Sequence, residues 1–212
     1  MSDKSNKYGY VGVDIPAQSF GSNKGVFNPA EINELVANNK WTSFGQLELI
    51  ETQTASADSS VDFINLATNS YNVYFVTLNN IQTSSASQNN LRFSNNNGSS
   101  FIASGYQYAF QRLTTAGSSF EGKSTSANQI NTEMLSDTST GSSGNGYFYL
   151  YNLLDSSKYS FATFQFMSSW SDERMTFGSG VKPTAETHNA FQIVPSAGTI
   201  SGNFSLYGIR YS

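Results

Sequence analysis

The chain has 212 residues, with 11 Lys and Arg against 15 Asp and Glu, and only 12 % of its positions are charged. A net charge of -4 with scattered basic residues leaves no electrostatic footprint for nucleic acid. No run of about 18 or more apolar residues offers itself to a membrane, and the absence of cysteine excludes disulfides, thiol nucleophiles and Cys metal sites. Solubility must then rest on uncharged Ser, Thr, Asn and Gln beside 14 % aromatics, a profile that predicts one β-rich main domain.

The first residues, "MSDKSNKYGY", lack the apolar segment of a secretory signal, which predicts a chain made in the cytoplasm. The arm that follows carries Tyr8, Tyr10, Ile15, Phe20, Val26 and Phe27 among Gly, Ser and Asn. That is too apolar for a solvated linker, so the arm is expected to order against the chain's own domain or against a partner, and these residues are the candidates for docking on a particle.

In "FNPAEINELVANNKW", Asn28 caps, Pro29 takes the first helical position and Glu31 completes a capping box. Ile32, Leu35 and Val36 share one face, so the stretch predicts a short helix. Residues 1–41 are thus expected to form an arm and helix, and residues 42–212 a β-sandwich.

From Thr42 on, short apolar runs alternate with polar turns. The strands expected are Gly45 to Thr54, Val61 to Leu66, Tyr71 to Asn80, Asn90 to Ser94, Tyr106 to Leu113, Tyr147 to Tyr151, Tyr159 to Met167, Arg174 to Gly178, Ala190 to Val194 and Gly202 to Tyr211. "YNVYFVTLNN" reads as a strand buried on both faces and central to a sheet. Asn97-Gly98 predicts a hairpin turn between the strand carrying Leu91 and Phe93 and the one at Tyr106. Residues 114–146 read as long loops with one weak strand at Ile130 to Leu135. Many short antiparallel strands with frequent turns predict an all-β, jelly-roll-like sandwich.

Chemistry is hard to place. The sole histidine, His188, has no Gly-x-Ser-x-Gly elbow to serve and is expected in a surface loop or subunit contact. Glu48 with Glu51, Asp58 with Asp62, and Asp172 with Glu173 are the carboxylate pairs a glycosidase would need, but each suits a solvated turn or strand face equally. "GSSGNGY" lacks the helix and the Lys-Ser/Thr pair of a phosphate loop. Asp172 and Glu173 could serve a Ca²⁺ ion, yet no Ca²⁺-loop spacing surrounds them, and no cofactor is expected. Tyr106, Tyr108, Trp170 and His188 remain as candidate ligand contacts, most aromatics being expected in the core.

The succession "YNVYFVTLNNIQTSS", "NNLRFSNNNGSSF", "SGYQYAFQRL", "YLYNLLDSSKYSFATFQF" and "GTISGNFSLYGIR" resembles a β-sandwich module of tailed-bacteriophage virion proteins, over roughly residues 58–212. The closing Leu206, Tyr207, Gly208 and Ile209 match that module's last strand. The N-terminal arm is similar to leaders of virion proteins in phages of aquatic bacteria. This resemblance implies a non-enzymatic particle component, either capsid decoration or part of a tail fibre, with a virion localisation. It also implies other virion proteins as partners and a homo-oligomer, with a trimer favoured. A receptor-binding tip recognising host surface glycan or protein through loops 95–105, 114–146 and 168–189 is the alternative. A polysaccharide-degrading enzyme is the more distant one.

Overall fold

A computed structural model describes residues 29–37, 47–66, 71–139, 141–170 and 172–209. The chain divides into two units, residues 1–45 and 46–212. In the first, α1 (Pro29–Ala37) begins at the proline expected to open it. The docking candidates Tyr8, Tyr10, Ile15, Phe20, Val26 and Phe27 lie outside the described residues, as does the cap Asn28.

Among its described residues the second unit contains twelve antiparallel strands: β1 (Leu47–Asp58), β2 (Val61–Phe63), β3 (Val73–Thr83), β4 (Ser87–Ser94), β5 (Tyr106–Thr114), β6 (Ser119–Ala127), β7 (Ile130–Ser136), β8 (Gly144–Tyr151), β9 (Ser160–Ser169), β10 (Glu173–Lys182), β11 (Ala190–Pro195) and β12 (Ile200–Ile209). One sheet has the order β1-β12-β3-β8-β9-β10-β5-β6 and the other β2-β11-β4-β7. Without β5, β6, β9 and β10, two four-stranded sheets remain, β1-β12-β3-β8 against β2-β11-β4-β7. That is the strand order of a jelly roll. The hairpins β5–β6 and β9–β10 lengthen one sheet beyond it.

The core follows from period-2 alternation. In β9, Ala162, Phe164 and Phe166 point inward and are buried, while Phe161, Gln165 and Met167 point outward. Phe63, Phe93, Phe148, Phe191 and Phe204 fill the space between the sheets from both sides. β3 lies between β12 and β8 and buries Tyr74, Val76 and Leu78 inward and Val73 on the opposite face, in keeping with its expected central place.

Two expectations are corrected. Asn97 and Gly98 do form a tight turn, with φ of 57° and 82° and a bond from Ser99 N to Asn96 O (3.3 Å), but no hairpin results. β4 belongs to the short sheet and β5 to the long one, so the turn sits in a crossing between layers. The stretch 114–146, expected as loops, contains β6 as well as β7. β6 offers Phe120 as its only large apolar side chain and pairs along β5 from Leu113↔Ser119 to Tyr106↔Ala127.

Candidate functional site

Of the four residues expected to contact a ligand, two are withdrawn from the surface. Tyr106 is fully buried: its hydroxyl accepts from Phe93 N (2.7 Å) and donates to Ile102 O (3.2 Å), and burial pushes its pKa up to about 12. It ties the 95–105 crossing to the core.

His188 is equally buried, packed on the Phe93 ring with centroids 5.2 Å apart. Its Nδ1 lies 2.7 Å from Ser160 Oγ, and its backbone N–H donates to Leu153 O at 2.6 Å. Nε2 approaches Glu186 Oε1 to 3.3 Å, off the axis of a directed hydrogen bond. Desolvation lowers the imidazole pKa from its ordinary 6.5, against the opposing pull of Glu186. The serine, histidine and glutamate thus meet, but Ser160 and His188 have no solvent access and no room for a substrate. The polar sequence of this loop concealed the burial, because backbone bonds rather than hydrophobic spacing hold His188 inside.

The remaining two stay accessible. Trp170 is 40 % exposed, with the Arg174 guanidinium 4.6 Å from its ring centre, and Arg174 also pairs with Asp172 at 2.6 Å. Tyr108 is half-buried and lines a cavity of about 910 Å³ over the long sheet. The structure does not bring Trp170 and Tyr108 into one site: Trp170 follows the end of β9, whereas the cavity lies over the start of that strand.

The carboxylates are engaged locally. Glu51 accepts from Gln53 Nε2 (2.8 Å), Asp58 from Ser56 N (3.0 Å), Asp62 from Gln192 Nε2 (2.9 Å) and Glu173 from Ser169 Oγ (3.2 Å). Among the described residues, no three His, Asp or Glu side chains converge as a metal ion would require.

What the structure does assemble is the outward face of β8, β9, β10 and β5. Register places Met167 opposite Met175 and Met175 opposite Leu113, with Phe177 two positions further along β10. These four side chains are 61 %, 41 %, 43 % and 43 % exposed. Toward β3, the Phe75 ring packs at a tilt against Tyr149 (4.7 Å) and Tyr207 (6.0 Å), and Tyr147 donates to Gln165 Oε1 (2.9 Å). The outward positions of β5, β8 and β9, and those of β10 from Met175 on, carry no charge. Sequence reading missed this face because Phe161, Met167 and Phe177 were indistinguishable from core residues in strands apolar on both sides. The signal present was the absence of Lys, Arg, Asp and Glu from β8 and β9.

Compared with models of known protein families, with curated proteins and with solved structures, the chain matches none.

Proposed function

We propose that this chain is a non-enzymatic structural protein of a phage virion, displayed on the particle surface as capsid decoration or as a tail or tail-fibre component. In this reading residues 1–41 dock on other virion proteins and the sandwich forms a homo-oligomer, with trimeric symmetry favoured. The observation that supports it best is the exposed set Leu113, Met167, Met175 and Phe177. All four sit on β5, β9 and β10, strands that a jelly roll does not require.

Side chains of that size, about half open, leave on the order of 300–400 Å² of contiguous apolar surface, the range a folded chain tends to reserve for contact. A net charge of -4 makes copies repel generally, and an uncharged face is where they approach at least cost. Weak contacts by the arm then gain from the number of copies held together.

The test has two parts. Met175→Glu is expected to convert the oligomer into a folded monomer in sedimentation velocity. Deleting residues 1–41 is expected to abolish incorporation into particles while leaving the oligomer. A wild-type chain that sediments as a monomer at all concentrations overturns the first part, and normal incorporation of the truncated chain overturns the second.

A further inference from the structure

At the other end of the same outward face, the long sheet forms a groove across its strands. A row of small side chains, Thr163, Ser179 and Ala109, is aligned by register across β9, β10 and β5. Tyr151 and Phe161 rise on one side and Lys123 on β6 ends the row on the other. Gln107 adds an amide at the edge, and Tyr151 Oη lies 3.4 Å from Thr163 Oγ1. The groove is open to solvent and offers about 910 Å³, within the usual range for small-molecule sites.

We propose that this groove binds a short acidic oligosaccharide, a chain of carboxylate-bearing sugars. Its lining matches both faces of a pyranose ring. Phe161 is 42 % exposed and offers an aromatic surface for ring C–H groups, with Tyr151 beside it. Thr163, Ser179 and Gln107 supply hydroxyl and amide partners for sugar hydroxyls.

Charge narrows the class. Among the described residues, Lys123 is the only charged side chain lining the groove and no carboxylate lines it, on a chain that is acidic overall. Its contact with Glu121 is long, 3.5 Å, with both side chains more than three-quarters exposed, so a ligand carboxylate competes for the ammonium on even terms.

Other ligand classes fit less well. The floor is the face of β9, β10 and β5, each hydrogen-bonded on both sides, so an extended peptide lying along it finds no free backbone edge there to join. A phosphorylated ligand wants a helix N-terminus or clustered basic groups, and one lysine supplies neither.

The experiment is isothermal titration of the full chain with trimers of galacturonate, mannuronate and glucuronate, and with neutral galactotriose. At least one uronate is expected to bind about ten-fold tighter than the neutral sugar, the equivalent of one charge-assisted contact. Lys123→Gln is expected to bring the two level, and Phe161→Ala to remove binding of both. Neither exposed position supports the core, and circular dichroism verifies the fold of each variant. No heat with any uronate, equal affinity for neutral and acidic sugars, or binding indifferent to Phe161→Ala each overturns the proposal. Sedimentation of the same samples separates the two readings: uronate binding by a monomeric chain leaves the groove standing and removes the copy contact.

Discussion

Ser160 Oγ and His188 Nδ1 lie 2.7 Å apart in the interior, joining β9 to the loop that leads into β11. Because the folded imidazole has a lowered pKa, the unfolded chain binds more protons once the pH drops below the ordinary value of 6.5. Its neutral state therefore stabilises the fold fully above about pH 6.5, and that contribution is lost as the pH falls. Thermal unfolding midpoints are expected to decrease from about pH 7 to about pH 5, and the slope is expected to flatten in His188→Gln. A midpoint that rises on acidification contradicts this.

A second internal polar contact crosses the two layers. Arg112 on β5 pairs with Glu133 on β7 at 2.5 Å, and Gln88 donates to the same carboxylate. Glu133→Ala leaves a guanidinium stranded at a mostly buried position and is expected to cost about 3–5 kcal/mol. Arg112→Met with Glu133→Leu is expected to cost far less, since no lone charge remains. Urea unfolding of the single and double variants measures the difference.

Gly180 on β10 faces Ile130, and a Cβ there would lie 2.6–2.8 Å from three of its side-chain carbons. Gly180→Ala is expected to destabilise the sandwich by about 1–3 kcal/mol through overpacking. Combining it with Ile130→Val should recover part of that loss in the same unfolding assay. No recovery would place the glycine's value elsewhere than in this contact.

Tyr106→Phe keeps the ring but removes the oxygen that serves Phe93 N and Ile102 O. Two buried backbone groups then lose a partner, at a cost of about 1–3 kcal/mol. Sugar titrations and sedimentation of this variant are expected to match wild type. A selective loss of binding would return Tyr106 to the surface chemistry that its burial rules out.

Much of the sandwich was legible because the apolar runs at β3, β9 and β12 are bounded by polar turns, which marks where these strands lie. The helix start was legible from Pro29. β6 was not, since "SFEGKSTSA" has almost no apolar content of its own and owes its form to pairing with β5. The Asn97-Gly98 turn was legible as local backbone chemistry, but which strands it separates depends on long-range pairing that no dipeptide encodes. The same limit applies to the outward face. Phe161 and Phe164 look alike in sequence, and only the presence of the second sheet on one side makes one of them core. His188 was misplaced for the converse reason, being held inside by its own backbone bond to Leu153 and by that of Asn189 to Ser94.

The position of β12 between β1 and β3 governs how the molecule is made. Thr52 finds Ser205 across 153 residues of chain, so the two earliest strands of the long sheet cannot share a finished ladder while the nascent polypeptide is still being extended. Until residues 200–209 leave the ribosome, β1 and one side of β3 wait with open edges. Such an order of assembly makes folding slow and late. It also leaves unpaired strand edges open to aggregation during synthesis.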